Sequence, residues 1–506
     1  MSDSGGHLPV KKLLSSLDVG SSVAEHDADL ERYFVETATF RQLIEDRGDI
    51  VAGDKGTGKT ALYRILKERY AKIPELAKVE VIPAFNPQGT PIFQRILEAD
   101  TLDEGQYIGV WKAYYLSLAG NWLLGVHEGD FTPSMDRLDK LLQGVGLRST
   151  DDSARSVFGQ LVEVVKKFLR PRAAEQSVTF SQDGMPIITH RVEFDDDPAI
   201  KVEQGRVRHD DALRLLNDAL EEADLKLWLV MDRLDEAFQG KPEHERPALR
   251  ALFRTYLEML EFSNVRVKLF VRRDLFARMI EGGFVNLTHI NARRIEIVWD
   301  EEDLYALLYR RITESDEFVK LLGIGDGDAN AVFDIVFPDQ VDQGDRKPKT
   351  WKWIMSRVRD GNYVRPPRNL IDLVLKAQDS QLRAEDRDAR TYSPGTPLIT
   401  GESLKRGLDA LSKQRVEDTL LAEAGDNAKL IELFRDGKAE HNTESLAGVF
   451  GSHATDGVKV LQTLGFIEQT GSTYKIPMLY RSGLNITQGR AFASATGGTP
   501  ESEDED

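Results

Sequence analysis

The sequence predicts an α/β protein: a mostly parallel sheet covered by helices, then a helical region, then a helix–helix–helix–hairpin module. Three observations predict it. From about residue 31, short apolar runs alternate with helical stretches, as parallel strands joined by crossover helices do. Leu225–Asp232 (LKLWLVMD) is a continuous apolar run, the signature of a strand buried on both faces. Between Lys429 and Tyr480, helical runs give way to two short stretches, Phe466–Glu468 and Thr473–Ile476, around Gly471.

The elements follow in order. Residues 1–30 are rich in Ser, Gly and Asp at their start and read as a flexible arm. Residues 31–299 form the α/β core. In it Arg47–Gly53 is an apolar run ending in glycine, Ala61–Tyr70 has helical spacing, and Lys78–Ala84, Val265–Val271 and Arg294–Trp299 alternate as strands do. Residues 126–210 interrupt this pattern as an insertion, with a helix at Ser153–Leu169 and a hairpin signalled by Asp183-Gly184. Residues 300–420 lose strand character and read as helices, among them Asp303–Ile312 and Asn369–Ala377. Residues 425–486 have the order of a winged helix. Residues 487–506 end in SATGGTPESEDED and read as a disordered acidic tail.

Composition narrows the function classes. A chain of 506 residues suggests roughly three domains. With 66 Lys and Arg against 84 Asp and Glu, its net charge is −18, which argues against a generally basic nucleic-acid coat. It has no cysteine, which excludes a disulfide scaffold, a thiol nucleophile and any cysteine-ligated metal. No apolar run approaches the ~20 residues that cross a bilayer, and the leading MSDSGGHLPVKK has no apolar segment behind its lysines. The expectation is a cytoplasmic protein with no membrane partner.

Gly53-Asp54-Lys55-Gly56-Thr57-Gly58-Lys59-Thr60 fits G-x-x-x-x-G-K-[ST] in full, with an apolar strand before it and a helix from Ala61 after it. Glycines let the backbone curl so that its N–H groups face phosphate oxygens, and the helix amino terminus adds positive potential. Lys59 is the residue for the β- and γ-phosphates, and the Thr60 hydroxyl is a ligand for Mg2+. A bound nucleotide phosphate needs a carboxylate on a neighbouring strand for the metal, and hydrolysis needs a base that orients water. Asp232, at the end of the apolar strand, is the metal-side candidate. Asp235 and Glu236 follow it, and either can polarise the water.

In LVMDRLDEA, residues 229–237, the chain resembles the Walker B signature hhhhDxxDE of the STAND signal-transduction ATPases, relatives of the AAA+ and Orc-type ATPases. The order of parts over most of residues 20–480 is similar to bacterial STAND/KAP-like P-loop ATPases, of the kind found in anti-phage defence loci. The resemblance implies ATP and Mg2+ as cofactors, with Asp232 on the metal and Asp235 or Glu236 on the water. It implies that the strand running into KLFVRRD (Lys268–Asp274) lies between the phosphate-loop and Walker B strands, with Arg272 or Arg273 at its end as a γ-phosphate sensor. It also makes VRPPRNL (Val364–Leu370) similar to a sensor 2 motif of a helical lid, with Arg368 near the phosphates. Val23–Asp27 is a weaker likeness to an adenine-side segment. The insertion before Asp232 is no part of the general pattern, and no repeat sensor array is present.

Other motifs fail. Asp326–Asn330 begins like an EF-hand loop, but the sixth position is Ala331 and the twelfth is Phe337, so the bidentate carboxylate is missing. The nine histidines have no metal-ligand spacing. No N-K-x-D guanine motif and no L-S-G-G-Q segment is present. Basic and acidic residues balance between Asn427 and Ile486, and the would-be recognition helix His453–Leu464 sets Lys459 against Asp456, which gives duplex phosphates little to bind. Lys166, Lys167, Arg170 and Arg172 are a better basic cluster, though such a cluster is more often a solvated helix face. The sequence therefore points to an ATP-hydrolysing conformational switch that engages a protein partner or effector, or assembles with itself. The alternatives are a DNA-dependent ATPase of the Orc-like loader or translocase type and a scaffold that binds ATP without turnover.

Overall fold

In the computed structural model, the described residues are 8–84, 102–148, 209–234, 242–281, 283–323, 329–450 and 454–488. The chain divides into two units, one of Glu36–Asp54 with Lys59–Val298 and the other of Met1–Val35, Lys55–Gly58 and Trp299–Asp506.

The first unit holds a five-stranded sheet of β1 (Ile50–Gly53), β2 (Val79–Pro83), β3 (Lys226–Met231), β4 (Val265–Arg272) and β5 (Arg294–Glu296) in the order β2-β3-β4-β1-β5. Every neighbouring pair is parallel. The expected strands are all present, and β4 lies between β1 and β3, so the arginine-bearing strand separates the phosphate-loop strand from the Asp232 strand. β1 is buried throughout and β3 at all but its first residue, because helices cover both faces of a parallel sheet.

The helix Glu104–Val126 runs for 23 residues with Tyr107, Trp111, Tyr114 and Tyr115 all buried. Asp103 and Gln106 close its start as a reciprocal capping box. Such a helix is apolar on nearly every side because it is surrounded by protein. Its one buried cation, Lys112, meets Asp210 at 2.6 Å and Glu258 at 2.5 Å, joining three helices. Among the described residues no helix is long and apolar enough to cross a membrane.

The start of the expected insertion is corrected. The helix Pro133–Gly144, capped by Thr132, buries Leu138, Leu141 and Leu142 in the core of this unit. The expected helix at 153–169, the hairpin at 183–184 and the basic cluster of Lys166, Lys167, Arg170 and Arg172 lie outside the described residues.

The second unit corrects another expectation. Residues 8–30 are no loose arm: Val10–Ser16 is a helix whose Val10, Leu13 and Leu14 are buried among the helices Asp316–Leu322 and Pro367–Glu385. Gln378 donates to the carbonyls of Leu14 and Leu17 at 2.7 Å each, satisfying the helix end. Further on, Asp27 is buried on Arg311 (3.0 Å) and on the Tyr33 hydroxyl. The rest is helical, through Glu301–Thr313, Ala329–Val336, Thr350–Arg357 and Gly401–Arg415. Gly407 lets the last of these approach Ala377, whose backbone nitrogen would stand 2.8 Å from an added Cβ.

A π-turn, Val416–Leu421, leads into the winged-helix module. It consists of the short helix Ala428–Glu432, β6 (Glu440–Asn442), the helices Thr443–Phe450 and Ala454–Thr463, β7 (Glu468–Thr470) and β8 (Thr473–Lys475). Its sheet is antiparallel in the order β6-β8-β7. Gly471, at φ 59°, makes the turn between β7 and β8.

One buried network ties the first unit's sheet together at the end where its strands begin. Lys268, fully buried in β4, donates to Asp46 (2.5 Å), Asp49 (2.7 Å) and the Gly48 carbonyl (2.9 Å), with its ammonium 4.0 Å from the centre of the Trp228 ring. Asp49 also accepts from Arg293 and, at 2.9 Å, from Tyr256. Burial works to raise the Asp49 pKa, but Arg293 and Lys268 outweigh it and hold the carboxyl below its ordinary value. Replacing Lys268 by Met leaves that carboxylate short of a cation and should cost about 3–5 kcal/mol, read as a lower urea midpoint. Because the Asp49 pKa is depressed on folding, its share of stability is complete above the ordinary carboxylate value and lost as pH falls through the depressed one. Acid titration of wild type and Asp49→Asn should therefore differ in slope only in that acid window.

Candidate nucleotide site

The site begins where β1 runs out. Gly56 and Gly58 take φ of 78° and 100°, a region that L side chains avoid, so the loop can curl only with glycine at both places. The helix Lys59–Arg69 starts directly after it. Lys59 folds back over the loop, its ammonium donating to the carbonyls of Gly53 and Asp54 at 2.9 Å each.

The Thr60 hydroxyl hydrogen-bonds Asp232, the residue after β3. Asp232 is only 5% exposed. Its burial raises the carboxyl pKa, against the hydrogen bonds from Thr60 and the Arg233 N–H and the charge of Lys59. The same carboxylate acts on Tyr63, whose phenol is pushed up to about 12, first by burial and then by the Asp232 charge. Arg233 itself sits at φ 58°, a strained conformation for a non-glycine residue.

Thr60 and Asp232 thus bring a hydroxyl and a carboxylate together, two hard oxygen donors of the kind Mg2+ prefers. A carboxylate whose pKa is raised in spite of its partners is under-compensated, and a cation would complete it. Among the described residues no group of three or more His, Cys, Asp or Glu could hold a metal. Mg2+ fits such a place, since it is commonly held by one or two carboxylates together with substrate phosphates. Asp235 and Glu236 lie outside the described residues.

The two arginines after β4 have different partners. Arg272 meets Asp274 in a two-pronged pair at 2.9 and 3.2 Å. Arg273 reaches Asp54 of the loop at 2.8 Å and Glu296 of β5 at 2.6 Å. Of the two, Arg273 is the one on the phosphate loop.

Within the C-terminal unit, three successive loop residues have partners of their own. Lys55 pairs with Glu423 at 2.6 Å, and the Trp299 indole donates to the Thr57 carbonyl at 2.8 Å. The Arg368 N–H points to the Gly56 carbonyl at 3.5 Å, and an added Cβ on Gly56 would stand 3.1 Å from the Arg368 Cβ. Pro366 and Pro367 fix the start of the helix that carries Arg368. Arg368 therefore lies against Gly56 of the loop. Trp299 and Glu423 were not expected there: one closes a strand-like run and the other lies in a mixed helical stretch, and neither belongs to a motif. In the Val23–Asp27 segment, Ala24–His26 is a single turn and Asp27 is engaged with Arg311 and Tyr33. The rejected EF-hand-like stretch falls largely outside the described residues.

No known family model matches the chain. The chain is similar to a putative transposon gamma-delta 80.3 kDa protein of Escherichia coli K12, at 24% identity over 303 residues. That match covers 58% of this chain and 39% of the relative, well under half the relative's length. Among solved structures it is similar to a Walker-type ATPase of Pyrococcus abyssi, at 12% identity and a TM-score of 0.39, covering 92% of this chain and 98% of that one. It is also similar to the Orc1 protein of Aeropyrum pernix in complex with DNA, at 14% identity and a TM-score of 0.33, covering 88% and 91%. The Orc2 protein of Aeropyrum pernix in ADPNP–ADP complexes gives 12% identity and a TM-score of 0.35, again covering 88% and 91%. Scores this low assign neither function nor partner, and the fold rests on this chain's own parts: a parallel β2-β3-β4-β1-β5 sheet with a phosphate loop after β1 and a buried aspartate after β3, then helices and a winged helix.

Proposed function

We propose that the protein is an ATPase that binds Mg-ATP at Gly53–Ala61, hydrolyses it, and works as a nucleotide-dependent conformational switch. One observation carries this reading: the Thr60 hydroxyl and the buried Asp232 carboxylate meet beside Lys59, at the end of a complete phosphate loop. Lys59 would neutralise the β- and γ-phosphates, while Thr60 and Asp232 would hold Mg2+, which supplies charge for the leaving phosphate. Glu236 or Asp235 would orient the attacking water. The candidate γ-phosphate sensors are Arg273, which pairs with Asp54, and, in the other unit, Arg368, which lies against Gly56, with Arg272 set back on Asp274. The absence of a guanine motif favours ATP over GTP. The partner in this reading is a protein, an effector or a second copy of the chain, and a role in anti-phage defence follows from the STAND/KAP resemblance.

A second reading, a DNA-dependent ATPase of the Orc-like type, draws on the winged-helix fold of residues 425–486. Its weakness is the charge balance of that module. The third, a scaffold that holds ATP without turnover, has no use for the acidic pair after Asp232.

Steady-state ATP turnover separates them, measured on wild type and Lys59→Ala with and without duplex DNA at low and moderate salt. The switch predicts turnover that DNA leaves unchanged and that Lys59→Ala lowers by about 10²–10³ or more. Stimulation by DNA that salt removes would establish the loader reading instead. Equal inertness of wild type and variant would leave the scaffold. Asp232→Asn should abolish the Mg2+ dependence of nucleotide affinity. It should leave the nucleotide-free melting temperature unchanged or raised, since a poorly compensated buried charge is gone.

A further inference from the structure

Next to Arg368, in the same unit as the loop tip Lys55–Gly58, the structure buries a second arginine that no motif predicts. Arg415 is the last residue of the helix Gly401–Arg415 and is 6% exposed. One of its terminal nitrogens pairs with Asp372 of the helix Pro367–Glu385, one turn on from Arg368. Its Nε is buried and has no hydrogen-bond partner among the described residues, and the same is true of the Arg368 Nε. The two guanidinium groups are close enough to feel each other. Burial lowers the Arg415 pKa to about 10, and the Arg368 charge is the next cause. Asp418 also acts on Arg415, raising its pKa, but it is exposed and its charge is screened by water. Arg415 and Asp372 are buried as a pair, and Arg368 beside them is half-buried with its Nε out of contact with water.

Two buried N–H donors without acceptors are costly unless something else supplies the acceptors. Two neighbouring arginines, each with a buried Nε donor that has no partner among the described residues, suit a phosphate group, whose oxygens accept from several guanidinium nitrogens at once. The neighbouring loop is where a phosphate would be. Gly56 of that loop lies directly against the Arg368 Cβ.

We propose that Arg415 is a second phosphate-binding residue, which with Arg368 forms a two-arginine receptor for a nucleotide phosphate group at the loop tip Lys55–Gly58 of the same unit. This rests on the nucleotide-binding reading above and goes beyond it by assigning a residue that neither the loop motif nor the sensor 2 likeness supplies. Arg415 is followed at once by the π-turn Val416–Leu421, an irregularity often found at functional sites. The turn is continuous with the helical residues Ala422–Ala424, which include the Glu423 partner of Lys55. A phosphate drawing Arg415 away from Asp372 would therefore act on the segment that leads into the winged helix.

The test is calorimetric titration of the full chain with Mg-ADPNP and with Mg-ADP, because the two differ in the terminal phosphoryl group. Wild type should bind ADPNP more tightly than ADP. The double variant Arg415→Met/Asp372→Leu removes both charges together and so leaves no unpaired ion. It should reduce the ADPNP preference by about tenfold or more, as expected for lost hydrogen bonds to a charged group, while ADP affinity changes little. Arg415→Gln/Asp372→Asn keeps a neutral hydrogen-bonding pair in the same space and reads the same ratio if the apolar pair does not fold. An unchanged ADPNP preference in a folded double variant overturns the assignment of Arg415 alone. Equal wild-type affinity for the two nucleotides overturns it as well, by removing the discrimination it explains. Failure of wild type to bind either one brings down the nucleotide-binding reading with it.

Discussion

The buried ammonium of Lys268 fixes the sheet from which everything at the site is hung. It holds Asp46, Asp49 and the Gly48 carbonyl just before β1, while Asp49 is shared with Arg293 just before β5. β1 and β5 therefore start from one charged knot that the middle of β4, between them and β3, supplies with its lysine. Where they start sets where they end. Gly53 stands beside Arg272 and Ala52 beside Glu296, so the next residues along, Asp54 and Arg273, emerge as neighbours and pair at 2.8 Å. Arg273 then also reaches Glu296. A slip of β4 by one residue along β1 would turn its side chains to the opposite face and bring Arg272 beside Asp54 in place of Arg273. The contact between a candidate sensor and the phosphate loop is thus a consequence of register, and register is held by a lysine in the middle of β4, opposite the start of β1.

Charged groups at the site are less fully compensated than the best-satisfied charges of the core. In the core, buried charge is compensated: Lys112 has two carboxylates and Asp49 three donors. At the loop, compensation is left incomplete. Asp232 has a raised pKa in spite of Thr60 and Lys59, Arg233 beside it is held at positive φ, and the Nε atoms of Arg368 and Arg415 lack partners among the described residues. A cation would complete Asp232, and phosphate oxygens would satisfy the open arginine donors. Proteins give up stability locally where function needs it.

Much of this was legible in the sequence, for reasons that differ by element. The strands buried on both faces announce themselves as apolar runs, and the phosphate loop is fixed by residue type at each position. The placement of β4 came with the family likeness. Val10, Leu13, Leu14 and Leu17 have the i, i+3, i+4, i+7 spacing of a buried helix face, but the Ser-, Gly- and Asp-rich composition around them hid it. The helix Glu104–Val126 has little polar contrast between its faces, so no periodic stripe marks it. β6 is Glu-His-Asn, three polar residues that pair only because β8 is alongside, and that is tertiary information. Arg272 and Arg273 are indistinguishable in sequence, since the choice between them depends on register. Arg415 was invisible because its meaning lies in Asp372 and Arg368, distant along the chain but near in the fold.

The loop's partners within the C-terminal unit also set a scale for the proposed switch. The Lys55–Glu423 pair is partly exposed and is worth about 0–1 kcal/mol. The Trp299–Thr57 hydrogen bond adds about 1 kcal/mol. Contacts this modest hold the loop tip without locking it. Reversing a 1:99 equilibrium between two states requires about 5.5 kcal/mol of differential binding, more than these contacts oppose. A phosphate engaging two arginines through charge-assisted hydrogen bonds, at about 1.5–3 kcal/mol each, supplies energy on that scale. The energetic weight of such a switch would therefore lie in the arginines that read the terminal phosphate, with the Lys55 and Trp299 contacts deciding only where the loop rests between ligands.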